Sequence, residues 1–225
     1  MTRIGVYIWP RMTMLDVFGP HQFLGLVPGW ELVTVARTTD PVVTDTGVRV
    51  LPDHDLTSCP ELDILLVGGG ADPSPQLRDP DVIAWVAKKG AEVQWVTSVC
   101  NGALILAEAG LLDGYRATTH WGNLPDLATY SEVEVVTDQR VVRDRNRITA
   151  GGVTSGIDFG LTLISEIAGP DVAAALQLVC EYDPHPPTPY GHPRNSPPEL
   201  LSAVGEMLGP LRTDLDAFYA AKASA

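Results

Sequence analysis

The chain has 225 residues, 45% of them apolar and 19% charged, with a formal net charge of −13 and a pI of about 4.6. That length can bury a sizeable core, while so acidic a surface repels nucleic-acid phosphates and anionic membranes, so neither partner is expected. No apolar run reaches the roughly 18–20 residues of a membrane span, and MTRIGVYIW is too short an apolar run for a signal peptide, which predicts a cytoplasmic protein.

Strands and helices alternate along the chain. RIGVYIW (Arg3 to Trp9) is β-branched and aromatic and predicts a strand. Met12 to Val27 carries Leu15, Phe18, Gln22, Phe23 and Leu26 at mostly helical spacing, with Gly19-Pro20 predicting a kink or a fresh start. Glu31 to Arg37 reads as a strand, and VVTDTGVRVLP as a hairpin around Asp45–Gly47. Leu62 to Gly70, LDILLVGGG, predicts a buried strand that ends in glycines. Asp79 to Ala91 predicts a helix opened by an aspartate and stopped near Gly90. EVQWVTSV then predicts a strand and NGALILAEAGLL a helix. YRATTH (Tyr115 to His120) predicts a strand, GNLPDLATY a short helix, and EVEVVT, RVVRD and RITAGG short strands. Thr154 to Gly169 and Asp171 to Tyr182 predict two more helices.

This alternation implies an α/β fold: a mostly parallel sheet with helices on both faces. One domain over residues 1–225 is expected, since no repeat or second boundary is visible. Residues 183–198 are too proline-rich for regular structure. The stretch after them predicts a C-terminal helix. Leu200, Leu201, Met207 and Leu208 make this end too apolar for a free tail, so it is expected to wrap a partner or shield a site.

Three cysteines, none in a C-x-x-C pair, make neither a disulfide framework nor a zinc site, and no metal is expected. For Cys59 and Cys180 a small, packed or partly exposed side chain is expected. Cys100 differs, because it sits where a strand ends and a helix begins, with Gly102 allowing a sharp turn. In open α/β sheets ligands bind outside the carboxyl ends of the strands. A corner of that kind holds a nucleophile up and exposed, as in α/β hydrolases, and a helix N-terminus favours a thiolate. A buried structural cysteine is the alternative. Gly68-Gly69-Gly70 offers bare backbone N–H groups as an oxyanion hole, or is a plain tight turn. It lacks the G-x-G-x-x-G spacing and a Walker lysine, so no nucleotide site is expected. Asp16 either favours the first helix's N-terminus or, buried beside a thiol, has a raised pKa and passes protons. His120 ends a strand and is a candidate base.

"LDVFGPHQFL", "LDILLVGGG", "TSVCNGALILAEAGLLDGYRATTHW", "RVVRDRNRITAGGVTSGIDFGLTLISEIAG" and "LQLVCEYDPHPP" together resemble the ThiJ/PfpI superfamily. Within it they are most similar to the isocyanide hydratase branch. The resemblance covers nearly the whole chain and implies a flavodoxin-like three-layer sandwich. It implies water addition to an isocyanide, R–N≡C, giving an N-substituted formamide, with no cofactor and in a homodimer. Carried over by position, Cys100 is the nucleophile and Asp16 its acidic partner; Gly69, Gly70 and Asn101 are candidates to hold developing charge. Asn101 stands where that branch has threonine, which bears on substrate positioning. Two other readings stay open. One is a small-molecule-sensing domain of the kind found in AraC-type regulators, although no helix-turn-helix pair is predicted. The other is a glyoxalase-like or stress-protective thiol protein, in which His120 carries more weight.

Overall fold

The computed structural model describes residues 1–224. In chain order it contains β1 (Thr2–Tyr7), α1 (Met14–Leu24), β2 (Trp30–Ala36), β3 (Val42–Val43), β4 (Arg49–Val50), β5 (His54–Asp55) and β6 (Ile64–Val67). Then follow α2 (Ser74–Leu77), α3 (Pro80–Glu92), β7 (Trp95–Val99), α4 (Gly102–Glu108), β8 (Arg116–Ala117), α5 (Leu124–Leu127) and β9 (Glu134–Val135). The chain closes with β10 (Val141–Asp144), β11 (Arg147–Ala150), α6 (Ser155–Ile167), α7 (Pro170–Val179) and α8 (Pro198–Ala223).

The main sheet has the order β10-β11-β7-β6-β1-β2-β5. All its pairings are parallel except β10 with β11. Without the edge strands β10 and β5, the order is that of a flavodoxin-like sheet. The central strands are covered on both faces, so they are apolar without alternation: all four residues of β6 are buried, as are Ile4 and Val6 of β1 and Val96 and Val99 of β7. Helices α1, α6 and α7 pack together, and α2, α3, α4 and α5 form a second group that α8 joins through α2. The strand order reverses between β1 and β6, and the carboxyl ends of the parallel strands β1, β6 and β7 lie side by side there. No helix among the described residues is long and apolar enough to cross a membrane.

Several local expectations are met in detail. Asp79 caps α3 by accepting from the N–H groups of Asp81 and Val82. The hairpin forms between β3 and β4 with Gly47 at a φ of 88°. Cys59 and Cys180 are partly exposed free thiols.

Two expectations are corrected. Of the kink or fresh start expected at Pro20, the fresh start does not occur; α1 runs through it to Leu24. Gly156 and Gly160 of α6 present no side chain there, so the proline ring packs against them. That packing offsets the hydrogen bond a helical proline removes. The expected strand at Tyr115 to His120 stops at Ala117. Thr118 gives its N–H to the Thr149 side chain, and the chain then turns into a 3-10 turn at Trp121–Asn123.

Candidate functional site

Cys100 lies between β7 and α4 with a φ of 57°, a left-handed conformation that costs a non-glycine residue about 1–3 kcal/mol. Its N–H is shared between the carbonyls of Ala150 (3.1 Å) and Gly151 (2.9 Å) at the end of β11. Its own carbonyl accepts from Thr119 Oγ1 at 2.9 Å. Gly102 is required two residues on, because a Cβ there would stand 2.2 Å from the carbonyl oxygen of Val67. The elbow is therefore wedged against β6. Arg11 (φ 64°) and Val153 (φ 43°) are also left-handed and line the same cavity as Cys100. For a β-branched residue such as Val153 this is a real outlier.

Asp16, in the first turn of α1, is fully buried. The Cys100 thiol and the N–H groups of Gly69 and Val153 face its carboxyl group. Neither oxygen completes a hydrogen bond of normal geometry. Gly69 allows this approach: a Cβ on it would lie 2.7 Å from Asp16 Oδ2, from Cys100 Cβ and from Asn101 Oδ1.

Burial pushes the Asp16 carboxyl up to about 7, while the Cys100 thiol and the Gly69 amide pull against that rise. Burial also pushes the Cys100 thiol well above its ordinary value, and the neighbouring Asp16 charge adds to this. The amides of Asn101 and Val153 act in the opposite direction. Desolvation thus outweighs the thiolate stabilisation expected from the helix N-terminus, at a residue only 6% exposed. Two anions side by side in so dry a place oppose each other, so the two groups titrate as a pair.

A cavity of about 410 Å³ opens in front of Cys100. Arg11, Thr13, Gly70 and Ala71 line one side, His120, Gly122 and Asn123 another, and Leu208, Leu211, Arg212 and Leu215 of α8 close it. Asp16 and Gly69 do not line it but adjoin Cys100, which does. The C-terminal helix thus lines this cavity.

The remaining candidates are placed as follows. Both ends of the Asn101 side chain engage one residue: its Nδ2 donates to the Gly70 carbonyl at 2.8 Å and its Oδ1 accepts from the Gly70 N–H at 2.9 Å. The Gly70 amide, expected to face a ligand, is therefore spent on Asn101. The pair instead ties the β6 turn to the elbow. His120 reaches the cavity from the 3-10 turn rather than from a strand end. Its Nδ1 accepts from the Gly122 N–H at 3.1 Å, which leaves the proton of the neutral ring on Nε2. Burial lowers its pKa and keeps it neutral. A second cavity, of about 420 Å³, shares His120 and Val153 with the first.

Residues 2–166 match the DJ-1/PfpI family. Over 223 residues the chain is 39% identical to an isonitrile hydratase of Pseudomonas putida, spanning 98% of this chain and 97% of that protein. It is 34% identical over 133 residues to the HTH-type transcriptional regulator CdhR of Pseudomonas aeruginosa, 59% of this chain but 39% of the regulator. The crystal structure of a ThiJ/PfpI family protein from Pseudomonas syringae superposes with a TM-score of 0.90 at 39% identity, over 96% of this chain and 89% of that one. Drosophila melanogaster DJ-1beta shares the fold, with a TM-score of 0.73 at 20% identity over 80% of this chain and 97% of that one. With the family match over most of its length and the 39% identity over nearly the whole of a relative, the chain belongs to the DJ-1/PfpI family.

Proposed function

We propose that the protein is an isocyanide hydratase that adds water to R–N≡C and releases R–NH–CHO. The observation that carries this reading is the buried Asp16 carboxyl, without a hydrogen bond of normal geometry, set against the Cys100 thiol at the cavity floor. Similarity to the Pseudomonas putida isonitrile hydratase over nearly the whole of both chains supports it.

The terminal carbon of an isocyanide accepts a nucleophile and then behaves as a base. A pair holding one proton between a thiol and a carboxyl matches that sequence. Cys100 Sγ bonds to the carbon, and the one proton of the pair passes by way of Asp16 onto the same carbon. The product is a thioimidate, R–N=CH–S, with Asp16 ionised. Water then adds to this carbon, its proton passing by way of Asp16 to the nitrogen. As the C–S bond breaks, Asp16 takes the hydroxyl proton and the formamide leaves. The Cys100–Asp16 pair again holds one proton, and every proton is accounted for. The reaction is redox-neutral and calls for no cofactor. The N–H groups of Asn101 and Val153, which face Sγ, stabilise the sulfur when it carries charge. His120, neutral with a proton on Nε2, is a donor to a substrate nitrogen in the cavity.

The test is incubation of the purified protein with para-nitrophenyl isocyanide, with formamide followed by chromatography. Formation above the uncatalysed rate supports the reading. No turnover, together with reversible binding of a small ligand, replaces it with the sensor reading that the similarity to CdhR favours. We also propose a homodimer, on the exposed Leu178 and Val179 of α7. Light scattering that gives the 24.1 kDa monomer contradicts this part alone.

A further inference from the structure

We infer that α8 selects the substrate: Leu208, Leu211 and Leu215 form the wall that receives the R group, and Arg212 is the positioning residue that holds this wall in place. The inference rests on the hydratase reading for the identity of the R group, but not for the existence of the wall.

An isocyanide is linear through R–N≡C. When its terminal carbon touches Cys100 Sγ on the sheet side, the R group points away from the sheet. Three leucines of α8 line the cavity together with Cys100. They follow one another at spacings of three and four residues, so they occupy one face of the helix. Leu215 is 2% exposed and anchors that face, whereas Leu211 is 38% exposed and has room to meet a ligand.

Arg212 also lines the cavity, yet it brings no free charge to it. Its guanidinium makes a bidentate pair with Asp126 at 3.0 and 2.9 Å and donates to the Gly122 carbonyl at 3.0 Å and to Asp216 at 2.9 Å. Asp126 is itself held by Asn123 Nδ2 at 2.8 Å. One side chain thus ties α8 to the 3-10 turn that follows His120. A lysine cannot make the bidentate pair, so this geometry is specific to arginine. Arg11 and Asp45 are the other charged residues on the cavity wall; both are exposed, and neither belongs to α8. The body of the far wall is therefore apolar and suited to an aryl or alkyl group.

The family match ends at residue 166, and α8 begins at Pro198. The wall is thus not part of what the family as a whole shares. A recognition element added outside the shared fold is where substrate choice can differ while the chemistry stays the same.

The test compares kcat/KM for para-nitrophenyl isocyanide with that for methyl isocyanide in the wild type, Leu208→Ala, Leu211→Ala, Leu211→Met and Arg212→Lys. One methylene in an apolar pocket is worth roughly 10-fold or more. Leu211→Ala and Leu208→Ala should each lower the aryl-to-methyl ratio by about 10-fold through KM. Leu211→Met should keep the ratio, and Arg212→Lys should lower it without touching either leucine. An unchanged ratio in both alanine variants overturns the inference. If the wild type turns over neither isocyanide, the hydratase reading fails and the wall is tested separately. Alkylation of Cys100 by iodoacetanilide and by iodoacetamide is then compared by peptide mass spectrometry, an S–C bond forming as iodide leaves. A lower ratio of aryl to plain reagent in Leu211→Ala upholds the wall; an unchanged ratio removes it.

Discussion

Cys100 and Leu211 line the same cavity, and they are held by different forces. Cys100 is fixed by the sheet: its backbone is bonded to Ala150, Gly151 and Thr119, and Gly102 beside it fits against the Val67 carbonyl with no spare room. Leu211 rides on a helix whose only buried residue is Leu215 and which is tied down by ion pairs, Arg212 to Asp126 and Lys222 to Glu108. Proton transfer and bond formation depend on distances fixed to a fraction of an ångström, and a close-packed sheet end supplies that. Recognition of an apolar group depends on area, which tolerates repacking. Changes at the sheet side should therefore act on rate and fold, and changes at the helix side on selectivity with small losses of stability.

The largest effect should come from Asp16→Asn. It keeps the size of the side chain but cannot pass a proton, and general acid–base work contributes about 10²–10⁴-fold. The kcat for a simple isocyanide should fall by at least about two orders of magnitude; wild-type turnover would make Asp16 a purely structural residue. The same variant has a signature in stability. The carboxyl has a pKa of 3.8 when unfolded and about 7 when folded, so the folded state holds its proton more tightly between those values. Its contribution is present in full below about pH 4 and is lost as pH rises through about 7, at about 1.4 kcal/mol per unit. Wild-type stability should thus decline across that window from this group. Asp16→Asn should lack the decline and gain on the wild type above pH 7; parallel Tm curves for the two proteins would contradict the burial argument.

Gly102→Ala comes next. Its Cβ meets backbone, which cannot swing away, so the loss should be about 1–3 kcal/mol in chemical denaturation. Arg212→Met breaks charged hydrogen bonds to a nearly buried partner and should cost about 1.5–3 kcal/mol. Lys222→Ala should cost under about 1 kcal/mol, because its pair with Glu108 lies at the surface with the lysine 40% exposed. If Lys222→Ala proved as damaging as Gly102→Ala, the contrast between the two walls would collapse.

Much of the sheet side was legible in the sequence because its signals are local. A β-branched run, a cysteine and a glycine within seven residues mark the elbow, and a glycine triplet marks the end of β6. Asp16 between Leu15 and Val17 pointed to an apolar setting, and the side chain is indeed buried. What escaped the sequence depends on partners far along the chain. The Gly70 amide is taken up by Asn101, 31 residues away. Pro20 is tolerated inside α1 because two glycines of α6 make room for it. The left-handed backbones of Arg11 and Val153 carry no residue signal, since neither is a glycine or an asparagine. That a terminal helix would be needed somewhere was readable from its leucines; that it closes the Cys100 cavity through Arg212 and Asp126, 86 residues apart, was not.

The most direct test of the central claim is formamide production from para-nitrophenyl isocyanide by Cys100→Ala beside the wild type. The fold of the variant should persist, since the Cys100 backbone is held by main-chain and threonine contacts rather than by its sulfur. The account predicts steady turnover by the wild type and none above the uncatalysed rate by Cys100→Ala. Turnover by a folded Cys100→Ala protein would contradict the covalent chemistry assigned to the Cys100–Asp16 pair.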